Sequence, residues 1–506
     1  MGNSVQPLAC DVLVVGGGIN GCGIARDLAG RGWRVVLAER DDLAAHTSSA
    51  STKLIHGGLR YLEHREFALV RKALAERERL MRSAPHLIRP LSFVMPHDEA
   101  MRPAWMIRAG LFLYDHLARR DFLPASQAID LRAHPAGAAL QPRFTRGYTY
   151  SDGWADDARL VVACAIDARE RGATVLTRTA CVAAQRGAAG WRATLRGPGG
   201  DCAVEARALV NAAGPWAERF LREAAPTLAT RQLRLVKGSH IVVPARFRHE
   251  QAYLFQNPDR RVIFAIPYER DFTLIGTTDK ELHGDPGAAA IDADETAYLC
   301  EQASRWLAAP VTPADVVWSY AGVRPLLDDH DGDPSAVTRD YLLEPGAGGA
   351  PLLTVWGGKL TTFRRLAEEA GDAVGRMLGE RRAPWTATAA LPGGDLGAWA
   401  GAPTTPPQDF ARFVRALHAR HPALPEPLLQ RIAHAYGSRA TLWLRDDLGA
   451  EVVPGLHEAE LEHLARDEWA LSAEDVLWRR SKLGLHYDAA QRAAVVAWFA
   501  GRPVVA

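Results

Sequence analysis

Hydrophobic and polar positions divide the chain into three stretches of different rhythm. Residues 10–15 form a short, valine-rich apolar run. Residues 20–31 then carry Ile24, Ala25, Leu28 and Ala29 at helical spacing, and 34–38 is a second apolar run that ends at Glu39. This order predicts a β-α-β unit. A helix with one charged face (Glu66, Arg71, Lys72, Glu76, Glu78) is predicted over 66–82. Strand-like segments crowd the middle of the chain at 173–177, 190–195, 203–211, 234–243, 261–267 and 272–276. A Pro/Gly-rich stretch from Leu391 to Pro407 reads as a linker. Beyond it, 408–506 is almost wholly helical in pattern, with last helices over 472–482 and 488–499. There is no internal repeat.

Composition narrows the class. The 506 residues are 48% hydrophobic and 24% charged, which fits a folded protein of two or three domains. A net charge of +1, with no zinc-finger spacing and no long basic run, gives no reason to expect nucleic-acid binding. The cysteines at 10, 22, 164, 181, 202 and 300 form no C-x-x-C pair, and none follows Cys300. No disulfide framework, metal site or iron–sulfur cluster is expected, and scattered thiols fit a reducing cytoplasm. The first nine residues lack the basic and apolar regions of a secretory signal, and Gln6 stands where a myristoylation motif has Ser or Thr. No apolar run reaches about 18 residues, so membrane contact is expected to be peripheral.

The chemistry begins at Gly16-Gly17-Gly18-Ile19-Asn20-Gly21, a G-x-G-x-x-G run between a strand and a helix. In that context Gly16 serves the tight turn, Gly18 the approach of a pyrophosphate to the helix N-terminus, and Gly21 the packing of helix on strand. Glu39 suits the ribose hydroxyls of FAD or NAD and repels a 2′-phosphate. The fingerprint alone does not separate FAD from NAD. Two further segments favour FAD. One is the hydroxyl cluster Thr47, Ser48, Ser49, Ser51, Thr52 with Lys53; the other is the turn Asn211-Ala212-Ala213-Gly214-Pro215-Trp216 after a strand.

Residues 47–63 (TSSASTKLIHGGLRYLE) resemble the flavin segment of the FAD-dependent, quinone-linked sn-glycerol-3-phosphate dehydrogenase family. So do Lys237-Gly238-Ser239-His240, Ile275-Gly276-Thr277-Thr278-Asp279, Gly322-Val323-Arg324-Pro325, Thr338-Arg339-Asp340-Tyr341 and Gly357-Gly358-Lys359-Leu360-Thr361-Thr362. These motifs stand in the family's order over about 10–395. The C-terminal part resembles the family's cap through Asp467-Glu468-Trp469 and Leu477-Trp478-Arg479-Arg480. The resemblance implies an α/β fold. A Rossmann-like FAD-binding domain of the glutathione-reductase/amino-acid-oxidase type would occupy 1–90, with return segments at about 145–230 and 338–390. A mixed-sheet substrate domain would interleave at 91–144 and 231–337, and an all-helical cap would follow at 395–506.

It also implies a reaction: a hydride passes from C2 of glycerol 3-phosphate to FAD N5, giving dihydroxyacetone phosphate, and a membrane quinone is then reduced. Arg60 and Arg339, with Tyr61, are the expected phosphate clamp, because a planar guanidinium pairs with phosphate oxygens. Thr278 and Asp279 complete the substrate contacts. His240 is the expected proton acceptor, with His56 as rival. Arg324 is placed near the C2 oxygen to stabilise developing charge. Lys359 and the helix start at Thr361 and Thr362 face the reduced flavin. The remaining FAD contacts are expected from Ser48, Ser49, Thr52, Lys53, His56, Gly57, Gly58, Leu59, Val182, Ala213, Gly214, Trp216, Gly322, Gly358 and Leu360.

Residues 104–114 (AWMIRAGLFLY), with Arg102, Arg108, Arg119 and Arg120 around them, read either as an interfacial helix or as a core helix. Residues 363–378 share that ambiguity. The expected location is the cytoplasm, attached peripherally to the inner face of the plasma membrane, with a homodimer open. Rival readings are an oxidase that reduces O2 to peroxide, the iron–sulfur-linked anaerobic branch, and a non-catalytic flavoprotein.

Overall fold

A computed structural model describes residues 7–63, 65–98, 102–226, 231–259, 261–327 and 340–501. Two sheets carry most of it. The first has eight strands: β1 (Leu8–Val15), β2 (Val35–Ala38), β7 (Thr174–Leu176), β8 (Ala180–Arg186), β9 (Trp191–Gly197), β10 (Gly200–Asn211), β17 (Leu342–Pro345) and β18 (Leu352–Trp356). Its main order is β17-β18-β10-β1-β2-β7, with β8 and β9 added beside β10. β1 lies parallel to both β10 and β2. From Val12 to Val15 it is buried on both faces and reads as a continuous apolar run, not as an alternation.

Helices α1 (Ile19–Gly30), α4 (Asp157–Glu170) and α7 (Phe363–Met377) join one core beneath this sheet. α7 is thereby a core helix, with Phe363, Leu366, Ala367, Ala370 and Val374 buried, and the interfacial reading of 363–378 does not hold. Its packing is close: a Cβ on Gly23 of α1 would lie 2.9 Å from the Phe363 ring. α5 (Ala217–Ala224) joins the core on the other face.

The second sheet has ten strands: β3 (Leu54–Ile55), β4 (Ile88–His97), β5 (Gln127–Asp130), β6 (Arg146–Ala155), β11 (Leu233–Pro244), β12 (Ala252–Gln256), β13 (Val262–Tyr268), β14 (Phe272–Gly276), β15 (Lys280–Glu281) and β16 (Trp318–Leu327). β6 pairs with β4 over its whole length, so the start of the segment expected to return to the first sheet at about 145 belongs to the second. α2 (Phe67–Ser83) and α3 (Ala104–His116) pack on one face of this sheet, and α6 (Ala293–Ser304) on the other. α3 buries Ile107, Leu111 and Tyr114 but leaves Trp105 at 70% and Phe112 at 60% exposure.

The C-terminal part has its own core. It contains α8 (Gly397–Ala400), α9 (Pro406–Arg420), α10 (Glu426–Tyr436), α11 (Glu458–Asp467) and α12 (Ala489–Ala500). A two-stranded ribbon, β19 (Glu451–Val453) and β20 (Leu456–His457), interrupts the helices. The expected helix over 472–482 is a π-helical turn, Asp475–Arg480.

Candidate active site

The turn from β1 to α1 leaves no room for side chains. Gly16 has φ +111, and a Cβ there would lie 2.5 Å from the Ala212 carbonyl oxygen; one on Gly21 would lie 1.8 Å from the Gly16 oxygen. The backbone N–H of Gly17 donates to Glu39 Oε2 at 2.5 Å, and that of Asp41 to Oε1 at 2.8 Å. Burial raises the Glu39 pKa against these two N–H donors, and the remaining lone pairs suit ribose hydroxyls. Ile19 N–H donates to Ser48 Oγ at 3.0 Å, so the hydroxyl segment lies against the start of α1. Ser49 Oγ instead donates to the His46 carbonyl.

Distant segments close on this turn. Asn20 Nδ2 donates to the Gly357 carbonyl at 3.1 Å, while its Oδ1 is buried without a partner. Gly358, at φ +107, would place a Cβ 2.5 Å from Asn20 Nδ2. Thr47 Oγ1 donates to the Val323 carbonyl at 2.8 Å, and a Cβ on Gly322 would meet the Ala50 oxygen at 2.8 Å. His56 N–H donates to Thr361 Oγ1 at 3.1 Å, and Thr362 N–H to the Lys359 carbonyl at 3.1 Å. Leu360 is half-buried beside them. Lys359 Nζ is buried over the Tyr61 ring at 4.3 Å with no hydrogen-bond partner. Gly58 turns with φ +76, where a Cβ would strike the Tyr61 ring, and Leu59 starts a short 3-10 turn. Gly57 N–H donates to Tyr114 Oη at 2.8 Å, and that hydroxyl donates to Asp152, which also holds Arg77.

His240 sits where β11 passes β14 and β16. Its ring stacks on Tyr320 at 4.9 Å, Nε2 shares a hydrogen bond with Thr52 Oγ1 at 2.9 Å, and Nδ1 is buried without a partner. The facing residue, Gly276, has to be glycine, because a Cβ there would lie 2.1 Å from the imidazole. Burial, then the charges of Lys53 and Arg324, push the His240 pKa well below the ordinary imidazole range. The ring is therefore neutral at physiological pH and able to accept a proton. His56, the rival, is also held low, first by burial.

Some expected contacts are turned elsewhere. Lys53 Nζ donates to Asp157 Oδ1 (2.8 Å), Asp157 Oδ2 (2.9 Å) and the Ser49 carbonyl (2.8 Å), in full burial. Its ammonium braces the hydroxyl segment and faces no open space for a cofactor. The Thr278 hydroxyl accepts from Ser239 N–H at 2.9 Å and donates to Glu295 Oε1 at 2.7 Å, so it is not free for substrate. Asp279 is paired with Arg324, whose Nη2 also reaches Thr277 Oγ1 at 3.2 Å. Trp216 donates to Asp285 at 3.1 Å under the Arg40 guanidinium, beside Ala213 and Gly214 (φ +55). Val182 is exposed on β8. Arg339 and the side chain of Arg60 lie outside the described residues.

Sequence reasoning missed Asp157, Glu295 and Tyr320. Thr277 was visible in its motif, but the partners Asp157 and Glu295 lie outside every motif and carried no local signal.

The Gly16–Gly21 cradle, Glu39, and the unpartnered buried Asn20 Oδ1, Lys359 Nζ and His240 Nδ1 fit a dinucleotide extending from the turn toward His240. Fold and site together define an FAD-dependent oxidoreductase. Family comparison agrees: the FAD dependent oxidoreductase family matches residues 11–364, and the C-terminal domain of alpha-glycerophosphate oxidase matches 385–500. The glycerol-3-phosphate dehydrogenase of Pseudomonas aeruginosa is 50% identical over 490 residues, covering 95% of this chain and 93% of that protein. The D-erythritol 1-phosphate dehydrogenase of Brucella abortus is 47% identical, covering 99% and 100%. The crystal structure of glycerol-3-phosphate dehydrogenase from Bacillus halodurans, complexed with FAD, superposes with a TM-score of 0.76 at 26% identity, covering 97% and 90%. The chain belongs to the family of FAD-dependent glycerol-3-phosphate dehydrogenases.

Proposed function

We propose that the protein oxidises sn-glycerol 3-phosphate at C2 to dihydroxyacetone phosphate and passes the electrons to a membrane quinone. The observation that carries this reading is the neutral, buried His240 with an unpartnered Nδ1, in the same site as Arg324 and next to the cofactor cradle. Bound FAD supplies the two-electron acceptor. His240 takes the hydroxyl proton as the C2 hydrogen leaves, because an alcohol is far too weak an acid to ionise first. Arg324, half-exposed beside Thr277, lies where negative charge on the C2 oxygen can be met. Arg60 and Arg339 hold the phosphate by the family motifs, each charged hydrogen bond contributing roughly 1.5–3 kcal/mol. Support for the substrate comes from the Pseudomonas relative.

The Brucella relative supports a second substrate reading, a longer polyol phosphate oxidised by the same groups. Peripheral attachment to the inner face of the plasma membrane is assigned to α3, whose Trp105 and Phe112 are exposed. No helix among the described residues is long and apolar enough to cross a membrane.

Anaerobic glycerol 3-phosphate should bleach the bound flavin, and a quinone should restore the colour faster than air does. Faster bleaching by D-erythritol 1-phosphate would overturn the substrate assignment. Rapid peroxide formation in air would overturn the acceptor and favour an oxidase.

A further inference from the structure

The C-terminal motif Leu477-Trp478-Arg479-Arg480 has no part in the chemistry above, yet Arg480 is wholly buried. Its Nη1 and Nη2 donate to the two oxygens of Asp42 at 2.6 and 2.8 Å, and Arg479 Nε donates to Asp42 Oδ2 at 2.6 Å. Arg480 Nη2 also donates to the Glu468 carbonyl at 2.6 Å, tying the pair to the end of α11. Asp42 belongs to the loop that leaves Glu39. Ala44 of that loop, held at φ +60, donates its N–H to the Gly17 carbonyl at 3.3 Å, and Asp41 donates to Glu39. A second tie grips the same place: Arg178 pairs with Asp475 of the π-helical turn, and its backbone N–H donates to the Asp41 carbonyl at 2.8 Å.

We infer that Arg480 is a positioning residue for the cofactor: through Asp42 it fixes the loop after Glu39 against the Gly16–Gly21 turn, so the C-terminal domain sets FAD affinity without touching FAD. The geometry favours this over a purely adhesive role. The guanidinium forms a two-point fork with one carboxylate, which fixes direction as well as distance. The loop it holds supplies an N–H to Glu39 and closes over Gly17. The inference rests on reading the Gly16–Gly21 turn as the dinucleotide cradle.

The test is FAD titration of full-length apoprotein by fluorescence quenching, beside the thermal midpoint of each apoprotein. In Arg480→Met, Asp42 keeps Arg479, so no bare carboxylate is buried. FAD Kd should rise about tenfold or more. Asp42→Asn should weaken FAD similarly, and the double variant should add little to either single change. Arg431→Met is the control: it breaks a buried pair with Glu460 inside the C-terminal core, away from the loop. It should lower the midpoint and leave FAD Kd unchanged. If Arg480→Met and Arg431→Met lower the midpoint alike and neither moves FAD Kd, Arg480 is merely structural and the inference fails. Gly18→Val tests the cradle separately, since a Cβ there would meet Ser48 Oγ at 3.0 Å. Unchanged affinity in Gly18→Val overturns the cradle. Loss of affinity there with none in Arg480→Met overturns the positioning role alone.

Discussion

Replacing Lys53 by methionine separates two things that one buried ammonium does. Its partner Asp157 is fully buried and would be left without a cation. Breaking a buried pair by removing one member costs about 3–5 kcal/mol. Asp157 keeps Ser51 Oγ (2.7 Å) and Ala158 N–H (2.9 Å) as donors at the start of α4, which places the cost near the lower end, at about 3 kcal/mol. Asp157→Asn should cost a similar amount, because the buried Lys53 then loses the carboxylate that holds it. The double variant Lys53→Met/Asp157→Asn removes both charges and should cost less than either single change.

The second effect is electrostatic. Lys53 Nζ and the His240 ring each lie 4.9 Å from the Tyr320 ring centroid, so they are no more than about 10 Å apart. At an effective dielectric constant of about 20, that separation gives about 1.7 kcal/mol of repulsion between the ammonium and an imidazolium, which holds the His240 pKa down. The sign is fixed: removing a positive charge favours protonation and raises the His240 pKa toward its ordinary value. A base must be unprotonated, so the acid limb of kcat/KM should move to higher pH in Lys53→Met. The assay is the pH profile of anaerobic flavin reduction, with urea midpoints measured across the cycle. An unmoved acid limb in Lys53→Met would refute the assignment of His240 as base. A double variant losing the sum of the two single costs would refute the pairing argument.

Other expectations follow from the same geometry. Gly276→Ala should keep FAD yet lose substrate-dependent bleaching, because the new methyl displaces the His240 ring; this is checked by comparing flavin content with the reduction rate. His86 and His434, where β4 meets the C-terminal helices, have pKa values lowered by burial to about 3 and about 4. Both are neutral when folded and titrate near 6.5 when unfolded, so their contribution is present above about pH 6.5 and lost as pH falls toward 4. The thermal midpoint should therefore drop over that window, and less steeply in a His86→Gln/His434→Gln variant. Trp105→Ser/Phe112→Ser should weaken sedimentation with anionic lipid vesicles and leave turnover with a water-soluble acceptor unchanged.

How far the sequence discloses this molecule depends on whether a signal is local. The β1-α1-β2 unit is legible because the buried end of a central parallel strand, Val12–Val15, is apolar without a break and its turn must be glycine. α4 is not legible. Leu160 to Ile166 is buried on every side, so no polar face marks a helical period. β6 hides for the opposite reason: Asp152 and Gly153 interrupt it, and Asp152 is there to hold Tyr114 and Arg77. The glycine and hydroxyl motifs reveal which segments meet, but not where each side chain turns. Lys53 and Thr278 sit in the right motifs and point away from the expected ligands, toward Asp157 and Glu295, which are 104 and 17 residues distant.

The ties between distant segments share one chemistry. Lys53–Asp157 joins the hydroxyl segment to α4, and Arg77–Asp152 joins α2 to β6. Arg364–Glu76 joins α7 to α2, and Arg159–Glu468 and Arg480–Asp42 join the C-terminal part to the rest. Such pairs add little net stability over well-packed apolar groups, because desolvation offsets most of the Coulomb attraction. Their penalty for misalignment is what differs. An apolar contact that slides by a few tenths of an ångström loses a fraction of a weak, non-directional attraction, whereas a bidentate guanidinium that slides leaves a buried charge unmatched. A site assembled from segments hundreds of residues apart, with reacting groups that must meet within a few ångströms, gains from the second behaviour. Two of these pairs, Lys53–Asp157 and Arg480–Asp42, hold the segments on either side of the hydroxyl cluster, where such alignment matters for the site.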